Sequence, residues 1–295
     1  MIATYLLLTA FAADFEIGDA KAFAKLFPKD AKVEKLATGM QFIEGPVWVA
    51  KDKKLIFSDI PASELKVWTR AKGVETFRKP TNNTNGNTLD KQGQLISAEH
   101  TAHRISRTLP DGKVETVVEQ FEGKDLNSPN DVVVASDGAY WFTDPDYGLG
   151  TRKKVQTGNY VYRFDPKTKE LTPVAKDFDK PNGLCFSPDG KKLYIADSGA
   201  PRHIRVFQVS ADGKSLSGGE VFVKIDKGGP DGIRADKAGN IWSSSGDGAQ
   251  VFSPTGQRIA RILLPEAGAN LELGDGMLFV TARTSLYGVP IKAKK

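Results

Sequence analysis

Six times along the chain the same plan returns: an oxygen-bearing residue, a short apolar run, a tight turn and a second apolar run. Glu44-Gly45, Asn85-Gly86, Asn130-Asp131, Asn182-Gly183, Asp231-Gly232 and Asn270-Leu271 open the copies, which begin at residues 44, 85, 130, 182, 231 and 270. Second strands follow the turns, such as "KLIFSDI", "AYWFTDP" and "KLYIADS", then third strands such as "YVYRFDP" and fourth strands such as "LTPVAK". A four-stranded unit repeated at this period cannot bury both its faces alone and must pack against its copies, which is the sequence signature of propeller blades. The fold expected is all-β: a six-bladed β-propeller of four-stranded antiparallel blades. The sixth copy stops after its third strand, "LYGVP", while the strand-like "AKVEKLATG", Ala31 to Gly39, has no blade of its own. That N-terminal strand is expected to close the ring, giving a single propeller domain over residues 31–295.

Composition agrees with a large core and many turns. The 295 residues are 40% hydrophobic and 26% charged, and the 29 glycines and 16 prolines punctuate short strands. A net charge of +5 is spread along the chain, with one dense basic run at Lys292, Lys294 and Lys295, so no basic patch marks a nucleic-acid partner. Cys185, the single cysteine, lies in an apolar run and is expected to be a buried thiol. Residues 1–12, "MIATYLLLTAFA", read as a short signal peptide cleaved before Ala13, though without a positive n-region; this gives a secreted or periplasmic expectation with a cytoplasmic alternative. No stretch reaches the 18 or so apolar residues of a membrane span, and a monomer is expected.

If the first strand of each copy is innermost, the opening residues Glu44, Asn85, Asn130, Asn182, Asp231 and Asn270 meet in a ring at one end of the central channel. Asn and Asp are ordinary turn residues, but six equivalent oxygen-bearing positions, one of them a glutamate, converge on a point. Carboxylates and carboxamides without thiol or imidazole are hard ligands suited to one divalent cation, Ca²⁺ first, with Mg²⁺, Mn²⁺ or Zn²⁺ as alternatives. The residues ending the second strands, Asp59, His100, Asp144, Tyr147, Asp197, Ser198 and Arg283, are expected to surround that ring.

"EGPVW" at Glu44, "SPNDVVVASDGAYWFTDPDYG" at Ser128, "PNGLCFSPDGKKLYIADSG" at Pro181, "GGPDGIRADKAGNIWSS" at Gly228 and "LFVTARTSLY" at Leu278 resemble the gluconolactonase/regucalcin family of six-bladed propellers. The resemblance runs from about Val33 to Val289. It implies that Glu44, Asn182 and Asp231 are metal ligands, that Asn130 contacts substrate or serves as a further ligand, and that Asp231 is also the general acid/base. Animal regucalcins carry a sugar-holding arginine two residues before the equivalent of Asn130; here that residue is Ser128. The implied activity is metal-dependent hydrolysis of a lactone, a sugar lactone such as gluconolactone first among them, to the hydroxy acid. Whether Asp231 or a hydroxide on the ion starts the reaction stays open. His100 and Arg283 are the candidates for further substrate contacts.

Two other functions compete with this one. A non-catalytic propeller stabilised by calcium would bind a protein or carbohydrate partner, and a bond-forming propeller similar to strictosidine synthase would not need the Glu44/Asn130/Asn182/Asp231 set. Ser198 lacks the Gly-x-Ser-x-Gly elbow of a nucleophile, "GGPDG" lacks the Lys-Ser/Thr of a phosphate loop, and Trp48, Trp141 and Trp242 read as inter-blade packing.

Overall fold

The computed structural model describes residues 14–292, so the expected signal segment lies outside the described residues. Six antiparallel sheets follow one another around an axis. Blade 1 consists of Ile43–Val49, Lys54–Asp59, Glu64–Thr69 and Gly73–Arg78; blade 2 of Thr84–Leu89, Leu95–Glu99, Arg104–Thr108 and Val114–Val118. Blade 3 is Val132–Val134, Tyr140–Asp144, Asn159–Phe164 and Leu171–Phe178, and blade 4 is Pro181–Phe186, Lys192–Asp197, His203–Val209 and Leu216–Lys224. Blade 5 contains Ile233–Ala235, Ile241–Ser245, Gly248–Phe252 and Arg258–Leu263. Blade 6 contains Asn270–Gly274, Met277–Ala282 and Ser285–Pro290, and its fourth strand is Glu34–Thr38, which pairs with Ser285–Pro290. Closure by pairing the two ends of the chain is therefore as the sequence predicts.

The packed unit starts earlier than residue 31. Phe15–Ile17 adds a fifth strand to the outer edge of blade 5, pairing Phe15 with Ile262. The helix Ala20–Leu26 follows, its first turn capped by Asp19, whose Oδ1 accepts from Ala22 N at 2.9 Å. Leu26 and Phe27 then pack into the blade 5/blade 6 core, with Phe27 against Trp242 at 5.6 Å between centroids. Trp242 so packs against this helical segment, while Trp48 stacks on Phe279 of blade 6 and Trp141 meets Phe186 of blade 4 edge-on.

Apolar residues on both faces of each blade form one core cluster at every junction between neighbours. Cys185 is buried in the cluster between blades 4 and 5. Close approach at the axis explains the recurrent glycine. A Cβ on Gly45 would lie 2.0 Å from the Asn85 carbonyl oxygen, and one on Gly183 would lie 2.3 Å from that of Asp231. Gly86 stands in the same relation to the Asn130 carbonyl oxygen, and Gly232 lies against the Asn270 side chain, so four of the six inner junctions are crowded where a side chain would go.

Candidate functional site

The inner strands bring their opening residues to one end of the channel. Glu44, Asn85, Asn130, Asn182 and Asn270 are 1–5% exposed, and Asp231 is half-buried. Backbone bonds lock the neighbours: Gly86 N donates to Asn130 O at 2.7 Å and Gly183 N to Asp231 O at 3.0 Å. The side chains of Asn270 and Glu44 meet, as do those of Asn182 and Asp231. The ring expected from the repeat is thus assembled.

Below it lies a charged layer that the sequence reading left unassigned. Arg234 and Glu272 on inner strands and Asp131 immediately before one are all buried; Arg234 Nε sits 3.2 Å from Glu272 Oε2, and Nη1 sits 3.5 Å from Asp131 Oδ2 and donates to Ile233 O at 2.8 Å. The signal was present: "NDV", "DGIRAD" and "NLELG" each place a charge inside an otherwise apolar inner strand, where only a channel-facing direction is tolerable. Burial works against the Arg234 guanidinium, but the Asp131 and Glu272 carboxylates hold it cationic.

Four carboxylates and one guanidinium leave the centre with excess negative charge. Burial pushes the Glu44 carboxyl up to about 7, helped by the nearby Asp131 charge and opposed by the Gly45 N–H. Burial, then the charges of Glu44 and Asp131, raise Asp231 well above the usual carboxylate range. Asp131 is raised by burial too, against the pull of Arg234. Like charges this close cannot all ionise without a counter-charge.

The same atoms fit a cation. Asp231 Oδ1 and Asn85 Oδ1 are buried acceptors with no hydrogen-bond partner, which in a native interior calls for a missing partner. Among the described residues no three His, Cys, Asp or Glu side chains form a metal-holding group. The donors are instead two carboxylates, Glu44 and Asp231, with surrounding carboxamides, a hard oxygen set that suits a divalent metal.

The second-strand termini divide into two kinds. Asp59, Asp144 and Asp197 do not face the ring, contrary to expectation. Asp144 accepts from the N–H groups of Asn127 and Ser128, both at 2.8 Å; Asp197 accepts from Asp179 and Lys180 at 3.0 and 2.9 Å; and Asp59 accepts from Phe42 at 3.1 Å. Each ties down the segment entering its own blade, a recurrent fastening whose acceptors are spent. His100 is buried with Nε2 3.3 Å from Asn85 Nδ2, and burial lowers it to about 4, so it stands in the pocket wall as a neutral ring. Ser198 Oγ donates to Pro230 O at 2.6 Å and is no activated nucleophile. Arg283 lies exposed in the two-residue hairpin turn of blade 6 with φ +45°, at the rim. A cleft of about 740 Å³ between blades 3 and 4 is lined by Asp137, Asp189 and Asp212 at the turns on the opposite face, away from this chemistry.

Residues 42–284 match the family described as SMP-30/Gluconolactonase/LRE-like. A gluconolactonase of Zymomonas mobilis is 31% identical, the match covering 87% of this chain and 82% of that protein. The solved structure of a gluconolactonase from Xanthomonas campestris superposes with a TM-score of 0.89 at 34% identity, covering 95% of both chains. A calcium-binding protein, the regucalcin of Agrobacterium tumefaciens, shares the fold with a TM-score of 0.75 at 23% identity, over 91% of this chain and 96% of its own.

Proposed function

This chain belongs to the SMP-30/Gluconolactonase/LRE-like family, and on that premise we propose that it is a metal-dependent hydrolase that opens the ring of a lactone, preferentially a sugar lactone, to the hydroxy acid. The observation that carries the reading is the buried, partnerless Asp231 Oδ1 inside a cluster of carboxylates with too little positive charge. Glu44, Asn182 and Asp231 would hold the cation, with Asn130 beside them; Ca²⁺ is the ion best matched to this donor set, as its oxygen ligands need neither thiolate nor imidazole. Bound there, a divalent ion supplies Lewis acidity to polarise the lactone carbonyl.

The chain's own groups account for the remaining steps. Asp231 takes a proton from the attacking water as its oxygen bonds to the carbonyl carbon, and returns that proton to the ring oxygen as the C–O bond breaks. Asn130 would hydrogen-bond the reacting carbonyl oxygen or the water. His100 stays neutral and shapes the wall. The test is turnover of a panel of five- and six-membered lactones by purified protein, before and after metal removal. Hydrolysis abolished by chelation and restored by Ca²⁺ supports the reading; absence of turnover on every lactone, with the ion bound, would overturn it in favour of a binding propeller.

A further inference from the structure

Ser128 stands where the family resemblance leads one to expect a substrate-holding arginine, yet its side chain never reaches the pocket. It is fully buried. Its hydroxyl donates to Pro145 O at 2.6 Å and accepts from Gly148 N at 2.9 Å, while its own N–H donates to Asp144 Oδ1 at 2.8 Å. The serine is therefore a clasp that closes the turn after the second strand of blade 3. Gly148 in that turn lies flush on the His100 ring, where a Cβ would approach to 2.5 Å.

The clasped turn carries Tyr147. The residue is 47% exposed, which makes it one of few large hydrophobic residues open to solvent among the described residues. The hydroxyl end points inward, against the side chains of Asn182 and Ser198, with the Asp231 carboxylate nearby. One ring face is covered by Lys180, with Nζ 5.5 Å from the centroid, and that ammonium is fixed by an ion pair with Asp146. A partly exposed aromatic ring with an O–H donor thus stands beside Asn182 and Asp231 of the carboxylate ring. Sugars present both features in reverse: apolar C–H faces and hydroxyl acceptors. Tyrosine combines an apolar body with a polar tip suited to such a boundary.

We propose that Tyr147 is a substrate-contacting residue that distinguishes hydroxylated from bare lactones, its phenol hydrogen-bonding a sugar hydroxyl, and that Ser128 is the positioning residue that holds it there. The inference rests on the lactonase reading above. Tyr147→Phe keeps the ring and removes only the hydroxyl with its contacts to Asn182 and Ser198, so it should lower kcat/KM for glucono-δ-lactone by about 3- to 10-fold, mainly through KM, the value of one hydrogen bond. Turnover of δ-valerolactone, which has no hydroxyls, should change less than about 2-fold, within the range of a surface substitution. Ca²⁺ affinity by calorimetry should be unchanged, and calorimetric binding of glucitol, an inert polyol, should weaken by the same factor as the sugar lactone. Ser128→Ala should lose discrimination in the same sense, and should add nothing when combined with Tyr147→Phe.

Equal loss on both lactones, or no loss on either, overturns the role of Tyr147. Additive losses in the double variant overturn the role of Ser128. If the wild type hydrolyses neither lactone, the lactonase reading itself fails and takes this inference with it.

Discussion

Removing the metal should invert the usual pH dependence of stability, and Glu44 sets the size of the effect. In the metal-free protein its carboxyl titrates at about 7 against an ordinary 4.5. Between these values the folded chain keeps a proton that the unfolded chain has released, so the contribution of Glu44 to stability is greatest below pH 4.5 and is lost as pH rises to about 7. A rise of that size is worth about 3 kcal/mol, from roughly 1.4 kcal/mol per pH unit. Asp231, raised by burial and by Glu44 itself, adds to the loss in the same direction. Binding of a divalent ion replaces the protons, and at 100 times its Kd returns about 2.7 kcal/mol. Ca²⁺ should therefore stabilise strongly at pH 8 and weakly at pH 5. The assay is urea unfolding followed by tryptophan fluorescence, on protein freed of metal by dialysis, from pH 4.5 to 8, with and without Ca²⁺, for wild type and Glu44→Gln. The variant cannot ionise at this position. Its metal-free curve should be flatter than that of the wild type by about 3 kcal/mol across the range, and Ca²⁺ should stabilise it less. Asp144, also pushed up to about 7 by burial, tilts both curves alike and cancels in the difference. Parallel metal-free curves for the two proteins would refute the reasoning, because they would mean that Glu44 is not confined with other carboxylates.

Metal analysis of the purified protein should find one divalent ion per chain, and Asp231→Asn should weaken its affinity by substituting a neutral oxygen for a charged one. Arg234→Met should destabilise by about 3–5 kcal/mol in denaturant, since Asp131 loses its buried cation; a cost under about 1 kcal/mol would contradict the channel ion-pair layer. Gly183→Ala should cost about 1–3 kcal/mol and depress Ca²⁺ affinity, because its Cβ meets the Asp231 carbonyl at 2.3 Å and the two inner strands must part. Ser198→Ala should leave activity nearly unchanged, whereas Arg283→Ala should raise KM for sugar lactones more than it lowers kcat; steady-state kinetics on both variants check this.

The sequence by itself determined the number of blades, the closure by Glu34–Thr38 and the ring of opening residues. Each is a periodic property: alternation and turn spacing define the strands, and a repeat brings equivalent positions to equivalent places around an axis. The glycine after Glu44, Asn85, Asn182 and Asp231 was equally legible, its reason being the contact between inner strands. Tertiary structure alone decided what departs from the repeat. Phe15–Ile17 and the helix Ala20–Leu26 join blades 5 and 6 through contacts with no counterpart in other copies, so no period announces them. Asp59, Asp144 and Asp197 share the carboxylate of Asp231, but backbone N–H groups consume their oxygens, while Asp231 Oδ1 is left without a partner. Ser128 and Tyr147 lie nineteen residues apart in sequence and act together only because Gly148 N and Pro145 O fold back onto one hydroxyl. Residue type and spacing fix which groups are available; which oxygens remain unpaired is settled by the hydrogen bonds of the folded chain.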